Sequence, residues 1–218
     1  MTAAASTKTD NGELARAAKV AMVAMRQHVL ALVNPARVFD AFCGETGQMH
    51  AEVWHRADSY LGCDRAWRVT DTRRRLIGDS LLALRAIDLG AFNVFDLDTY
   101  GGPWEAALIL AARRRWKPGE VGAVVLTDGL DMKLKFGGRT RAIEALLGTN
   151  PTANTDKARE SVQHGLLRAW TSRAGVVPLK LWRARGFSGQ TGGIAMMYSA
   201  IVFEGARRPT AHRASAHA

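Results

Sequence analysis

Short apolar runs alternate with longer segments of mixed polarity along most of the chain. Each run ends in or beside an aspartate or a turn, and we predict a β-strand at 38–42, 59–63, 75–78, 94–98 and 121–126. Helix-like segments lie between and after them, at about 47–57, 65–74, 80–89, 103–116 and 139–147. Strands that alternate with helices are typical of parallel βαβ units, and unbroken apolar runs suit strands buried on both faces.

Both ends of this pattern differ from its middle. A helix rich in Ala, Leu and Met is predicted over 15–33, stopped by Asn34-Pro35. After a predicted helix over 155–174, two strand-like segments at 176–183 and 194–203 are joined by a glycine-rich stretch without a helix. Such neighbours should pair antiparallel. We therefore predict an α/β fold with a mostly parallel sheet and a C-terminal antiparallel strand pair.

The chain has 218 residues, which suits one domain with a full core. We expect a disordered N-terminus at 1–11, a single domain at 12–204 and a flexible basic tail at 205–218, which carries three arginines and no acid. The first residues lack the charged start and apolar segment of a signal peptide, so we expect a cytoplasmic protein.

Composition narrows the class of protein. The hydrophobic fraction of 47% is too high for a disordered chain, and two cysteines are too few for a disulfide scaffold. No apolar run approaches the roughly 20 residues of a membrane span, so no membrane partner is expected. The 30 Lys and Arg outnumber the 20 Asp and Glu, for a net charge of +10, which points to a polyanionic partner.

Carboxylates gather at the predicted strand ends. In an open parallel sheet, the carboxyl ends of the strands line the ligand crevice. Carboxylates buried there need partners, so the cluster indicates a polar or cationic ligand. The six residues are Asp40, Asp64, Asp79, Asp96, Asp98 and Asp128.

The turn after the first strand carries two glycines, Gly44 and Gly47, which allow the backbone to approach a ligand. A plain tight turn is the alternative, and the third glycine of the dinucleotide fingerprint is lacking. Asp64 follows the second strand, where an acid can bind ribose hydroxyls, and Asp79-Ser80 follows the third. Each of these acids could instead cap a helix, although their shared register favours a ligand site.

Residues 40–47, in the order Asp-x-Phe-Cys-Gly-x-x-Gly, resemble motif I of class I S-adenosylmethionine-dependent methyltransferases, in the form found in enzymes that methylate base amines. The resemblance covers about 35–204 and implies a Rossmann-like class I methyltransferase fold with a seven-stranded sheet. It implies that S-adenosylmethionine is the cofactor. Its methionine end would lie on Asp40 and the backbone from Phe42 through Gly44 to Gly47, its ribose on Asp64, and its adenine near Asp79 and Ser80.

The fourth strand end carries the most specific pattern. Residues 96–103 resemble the Asp-x-Asp-Pro-Tyr-Gly-x-Pro sequence of tRNA guanine-N2 dimethyltransferases, except that Thr99 stands where proline is expected. Asp98 can accept a hydrogen bond from an exocyclic amine and receive its proton. Tyr100 offers an aromatic face to an unstacked base. The predicted catalytic residues are therefore Asp98 and Tyr100, with Asp96 as the next carboxylate.

These features predict transfer of a methyl group to an exocyclic amine of a nucleic-acid base, with guanine N2 of RNA favoured. A DNA adenine or cytosine amino methyltransferase and a catalytically degenerate nucleic-acid-binding protein remain as alternatives. The histidines show no metal-ligand spacing, so no metal is expected. A homodimer or partner subunit could help to hold the substrate. The residues predicted to contact the nucleic-acid backbone are Lys133, Lys135, Arg139 and Arg141.

Overall fold

A computed structural model describes residues 7–66, 72–99, 101–129, 140–153, 155–188 and 194–207. Seven strands form one sheet: β1 Arg37–Asp40, β2 Ser59–Asp64, β3 Arg75–Ile77, β4 Val94–Leu97, β5 Val121–Asp128, β6 Val176–Ser188 and β7 Ile194–Gly205. The helices are α1 Thr7–Leu32, α2 Gln48–Glu52, α3 Ser80–Ala86, α4 Trp104–Arg113, α5 Arg141–Leu147 and α6 Asp156–Ala174. Two short 3₁₀ turns cover Trp54–Arg56 and Leu89–Ala91.

The strand order across the sheet is β3-β2-β1-β4-β5-β7-β6. The first five strands pair in parallel, and β7 runs antiparallel to both β5 and β6. The predicted α/β fold, with a mostly parallel seven-stranded sheet and an antiparallel C-terminal pair, is confirmed. The order reverses between β1 and β4, which is the place where open α/β sheets bind ligands.

Helices cover both faces of the sheet because each face carries its own apolar set. On one face, α1 and the segment after α2 pack Val29, Val33 and Trp54 against β1 and β4. On the other, α4 and α6 bury Leu110 and Trp170. Strands covered on both sides read as unbroken apolar runs, which explains why β4 and β5 could be predicted from sequence.

Several helices begin where a side chain satisfies free backbone amides. Asp79 accepts the N–H groups of Leu81 and Leu82 at the start of α3. The hydroxyls of Thr140 and Thr155 do the same for α5 and α6. Such residues favour a helix start because the first four N–H groups have no partner within the helix.

The structure differs from the sequence predictions in two places. The first helix begins at Thr7 instead of residue 15, so residues 7–11, expected to be disordered, are helical. Extending an existing helix adds one hydrogen bond for each residue fixed, which favours this longer start. The helix predicted over 65–74 is not found in its described parts, 65–66 and 72–74, and the rest of it lies outside the described residues.

The end of β6 and the start of β7 lie at the carboxyl edge of the parallel strands. Asp128, the last residue of β5, is paired with Met197 of β7. Strands β6 and β7 extend past this pair, as far as Ser188 and Ile194. Ser188 and Ile194 therefore lie on the same edge as the aspartates at the ends of β1, β2 and β4. The residues that join these two strands lie outside the described residues.

Candidate functional site

The loop after β1 forms a backbone cradle. Gly44 has φ 68°, and apart from its chain neighbours no atom of the described residues lies within 4 Å of the position where a side chain would begin. Gly47 has φ 59° and leads into α2, with the Arg73 guanidinium so close that a Cβ atom would clash with it. Both glycines are therefore required by backbone conformation, and the open space beside Gly44 is available to a ligand.

Asp64 ties the end of β2 to this loop. Its Oδ2 accepts the N–H of Gly44 at 3.0 Å, and its Oδ1 accepts the N–H of Ala66 at 3.1 Å. The same side chain lines the cleft described next. An acid at this position thus fixes the glycine loop while one side of its carboxylate faces the ligand groove.

A groove runs along the carboxyl edge in two lobes that share Phe42. The larger lobe, of about 410 Å³, is lined by Asp64, Asp79, Ser80 and Thr99 among others. The smaller lobe, of about 230 Å³, is lined by Asp40, Cys43, Gly44, Met22, Met49 and Asp98 among others. Of the ten predicted site residues that the structure describes, seven line these two lobes; the three that do not are Gly47, Asp96 and Arg141.

Behind the smaller lobe lies a buried ion pair that the sequence analysis missed. Arg26 of α1 donates from Nε to Asp96 Oδ2 at 2.6 Å and from Nη2 to Asp96 Oδ1 at 2.8 Å. Trp54 Nε1 donates to the same Oδ2 at 2.8 Å. Arg26 and Asp96 are 1% and 0% exposed, so this fork is shielded from solvent and holds α1 onto β4.

Arg26 also reaches the groove. Its Nη2 lies 3.3 Å from Asp98 Oδ2, and the Asp98 side chain keeps 25% of its surface exposed. Asp96 has both carboxylate oxygens engaged and does not line either lobe. Of the two carboxylates considered for catalysis, Asp98 is therefore the one that faces the groove, and Asp96 holds Arg26 in place.

Burial perturbs the acids of the smaller lobe. Asp40 is 1% exposed, and this burial, together with the neighbouring Asp96, raises its pKa well above the ordinary carboxyl value. Burial also raises the pKa of Asp98, although the nearby Arg26 opposes the shift. The Tyr60 hydroxyl donates a hydrogen bond to Asp40 Oδ2 at 3.1 Å.

The thiol of Cys43 lies in the same lobe. Burial raises its pKa to about 12, so it stays protonated and unreactive at neutral pH.

Asp79 and Ser80 begin α3 at the far end of the larger lobe. Asp79 Oδ1 caps the helix, and Oδ2 contacts Arg65, which lowers the pKa of Asp79. Ser80 is buried beside Cys63. The helix-capping alternative considered from sequence is therefore correct for Asp79, and the residue lines the groove as well.

Thr99, which departs from the motif, has a defined place. Its N–H donates to the carbonyl of Leu97 at 3.0 Å, a bond that proline could not make. The residue is 8% exposed, and its hydroxyl is buried without a hydrogen-bond partner among the described residues. Thr99 lines the larger lobe, and a buried hydroxyl without a described partner is a candidate contact for a polar group bound there.

Asp128 has a structural role. Its Oδ2 accepts Trp104 Nε1 at 2.8 Å and Gln163 Nε2 at 3.4 Å, and it is buried. These bonds join α4 and α6 to the end of β5. Trp104 itself is buried in the core.

Some predicted residues cannot be placed. Tyr100 and the basic residues Lys133, Lys135 and Arg139 lie outside the described residues. Arg141 is the first residue of α5 and is exposed.

The sequence did carry a signal for Arg26. It lies four residues after Met22 and three before Val29, on the apolar stripe of α1 that packs on the sheet. An isolated charge on a buried helical face needs a buried partner, which here is Asp96.

Two other features were looked for in the described part of the chain. None of its helices has both the length and the apolar character needed to cross a bilayer. Its His, Cys, Asp and Glu side chains form no group of three or more that could hold a metal ion.

No protein-family model and no curated protein matches the chain. Among solved structures, a Lactococcus lactis protein assigned as a hemolysin is similar over 92% of this chain and 91% of its own, with a TM-score of 0.51 and 12% identity. Protein PH1948 of Pyrococcus horikoshii, assigned as an RNA methyltransferase, is similar over 86% and 85%, with a TM-score of 0.50 and 8% identity. A geranyl diphosphate methyltransferase in complex with SAM is similar over 92% of each chain, with a TM-score of 0.48 and 12% identity. At these identities the likeness concerns the fold, and the chain has a Rossmann-like methyltransferase fold.

Replacing Arg26 with methionine should lower the free energy of unfolding by about 3–5 kcal/mol, because the buried Asp96 loses its cation. Urea unfolding followed by circular dichroism measures this change. The double variant Arg26→Met/Asp96→Asn should recover part of the loss, since asparagine has no charge and still accepts the Trp54 N–H. If Arg26→Met lowered the free energy of unfolding by less than about 1 kcal/mol, the pair would be as weak as an exposed ion pair, and the stabilising role assigned to it would be wrong.

Asp40→Asn should change how the stability of the ligand-free protein depends on pH. Because the pKa of Asp40 is raised on folding, its protonated form favours the fold, and this contribution is lost as pH rises through the raised pKa. Wild type and Asp40→Asn should therefore melt at similar temperatures at or below the ordinary carboxyl pKa of 3.8, and the melting temperature of wild type should fall progressively below that of the variant as the pH rises from there. The exposed Asp88→Asn serves as the control, and parallel melting curves for wild type and Asp40→Asn would contradict the shift.

Proposed function

We propose that the protein is an S-adenosylmethionine-dependent methyltransferase. The observation that carries the proposal is a pair of neighbouring lobes that share Phe42 beside the glycine loop after β1, the larger lined by Asp64 and Asp79 and the smaller by Asp98. The fold alone supports many functions, so the argument rests on these residues. A carboxylate after β2, beside a glycine loop after β1, is the arrangement that holds ribose in nucleotide-binding sheets.

The groove fits this cofactor in chemistry and space. The open position beside Gly44 and the buried hydroxyl of Thr99 are a cradle and an unused polar group of the kind a ligand would fill. Asp64 would hold the ribose, Asp79 and Ser80 the adenine region, and Asp40 with the Phe42–Gly47 backbone the methionine end. When bound, S-adenosylmethionine supplies a methyl group on a positively charged sulfur; transfer to an amine leaves a neutral thioether and one proton to be released.

Asp98 is the residue we assign to the acceptor. An exocyclic amine on a base is a weak nucleophile because its lone pair is delocalised into the ring. A carboxylate that accepts one N–H of the amine orients the lone pair, and positioning of this kind supplies much of the catalysis. The raised pKa of Asp98 also suits a group that receives the released proton.

The acceptor class follows from charge and from the motif at 96–103. A net charge of +10, in a chain whose groove is lined by acids, leaves a basic surface around an acidic pocket. That arrangement suits a phosphate backbone outside and one base inside. Guanine N2 of RNA is the favoured acceptor, in the cytoplasm, with a second copy or a partner subunit helping to hold the RNA. Tyr100 and the Lys133–Arg141 segment are proposed to contact the base and the backbone.

Two alternatives to an RNA guanine methyltransferase are also consistent with particular residues of the chain. An adenine or cytosine amine of DNA would use the same carboxylate. A degenerate protein that only binds nucleic acid would explain the threonine at position 99, where the related enzymes have proline.

Transfer of labelled methyl from S-adenosylmethionine to total RNA and to genomic DNA, followed by nucleoside analysis, separates these possibilities. We expect label in RNA, in N2-methylated guanosine. Label in DNA would establish the first alternative. Tight nucleic-acid binding without transfer to either would establish the second.

Asp98→Asn should lower methyl transfer by about 100-fold or more at saturating cofactor, because the amide cannot accept the proton. The single-turnover rate with the labelled cofactor measures this. Asp88→Asn makes the same change of charge at the opposite edge of the sheet and should retain the wild-type rate. Equal rates for Asp98→Asn and wild type would show that another group orients the amine.

Asp64→Ala should weaken S-adenosylmethionine binding by about tenfold or more, because it removes a charged hydrogen-bond acceptor and the anchor of Gly44. Isothermal titration calorimetry measures the dissociation constant, with Asp88→Ala as the control. Unchanged affinity in Asp64→Ala would contradict the proposed ribose site.

A further inference from the structure

The smaller lobe of the groove holds more negative than positive charge. Asp40 and Asp96 occupy paired positions on the adjacent strands β1 and β4, so their side chains leave the sheet side by side on the face covered by α1. Asp98 follows two residues later at the end of β4. The guanidinium of Arg26 touches Asp96 and Asp98, and one cation therefore stands against three carboxylates.

The surrounding groups do not remove this imbalance. On the side of the glycine loop, Arg73 lowers the pKa of the Cys43 thiol and Asp64 raises it. The positive and negative charges of these two side chains therefore offset each other. The Tyr60 hydroxyl contacts Asp40, and Tyr198 of β7 faces Asp98; both are neutral, because burial raises the pKa of each phenol. Among the described residues, with both arginines and all four aspartates counted, the fully ionised lobe would carry two uncompensated negative charges.

Little solvent is present to screen that charge. Asp40 and Asp96 are almost completely buried, and Arg26 is committed to Asp96 by a two-bond fork. Asp98 shares Arg26 only through the longer contact of 3.3 Å and opens to the lobe. Met22, Phe42 and Met49 line the lobe together with the polar side chains of Thr46 and Gln48. Charges near the buried Asp40 and Asp96 interact more strongly than charges in water do.

We propose, resting on the methyltransferase function above, that the smaller lobe selects its ligand by charge and binds the cationic sulfonium cofactor more tightly than the neutral thioether left after transfer. The two molecules share their adenosine and amino-acid parts, so the difference lies in the methyl group and the charge on sulfur. Asp98 and Asp40 are the residues that distinguish them.

This selection would assist turnover. During transfer, the amine's electron pair forms the new C–N bond, the C–S pair remains on sulfur, and the positive charge leaves as a proton from the amine. The lobe then faces a neutral product, and the attraction that held the cofactor is lost. The carboxyls of Asp40 and Asp98, whose pKa values are raised by burial, can take up protons as the cation disappears.

Calorimetric titration of the full chain with S-adenosylmethionine, S-adenosylhomocysteine and sinefungin tests the inference at pH 7.5 and low salt. Sinefungin carries an ammonium group in place of the methyl-sulfonium, so it tests charge without the methyl group. We expect both cationic ligands to bind about tenfold more tightly than the neutral thioether. Equal or tighter binding of S-adenosylhomocysteine, compared with both cations, would overturn the inference.

The variant Asp98→Asn should bring the three dissociation constants close together, and Asp88→Asn should keep the wild-type ratio. An unchanged ratio in folded Asp98→Asn would overturn the assignment of Asp98. If that variant fails to fold, the dissociation constants of sinefungin and S-adenosylhomocysteine for the wild-type protein still decide whether the lobe selects by charge. Binding of all three ligands without preference would remove charge selection alone, whereas binding of none would remove the methyltransferase function itself.

Discussion

The ion pair of Arg26 with Asp96 organises this end of the molecule. Asp96 lies inside β4, where the sheet is covered on both faces, and a lone carboxylate there would be costly. Arg26 and Trp54 satisfy it from two different segments, so the bond holds α1 and the turn after α2 against the centre of the sheet. A buried pair of this kind need not add stability over an apolar pair, but it fixes one arrangement of the segments that meet there.

The groove depends on that arrangement. Because α1 is fixed by Arg26, its Met22 lines the smaller lobe together with the glycine loop that Asp64 holds. The residues that anchor the wall and the residues that face the ligand are thus neighbours in space. Asp96 is fully committed to structure, whereas Asp98, two residues later, remains open to the groove.

Much of the fold was readable from the sequence because it rests on local patterns. The buried strands appear as unbroken apolar runs, and the carboxylates after them mark the ligand edge before any contact is known. Long-range partners were not readable: Arg26 and Asp96 are 70 residues apart, and only packing brings them together. The sequence also could not show that Asp128 is bound by Trp104 and Gln163, since an acid at a strand end can serve either structure or ligand.

The structure gives Thr99, an unusual residue at its position in the motif, a defined role. In the sequence it is a departure from a pattern. In the fold its N–H closes a turn onto Leu97, and the residue lines the larger lobe, with its hydroxyl buried and without a described partner. The loop after β4 is thus held by a hydrogen bond that proline could not make. Thr99 is thus one of the residues that line the larger lobe.

A crystal structure of the protein with S-adenosylmethionine tests the central claim most directly. The account predicts the cofactor in the two-lobed groove, with its ribose hydroxyls on Asp64, its adenine beside Asp79 and Ser80, and its sulfonium in the smaller lobe near Asp98. A cofactor bound elsewhere, or in the reverse direction along the groove, would contradict the account.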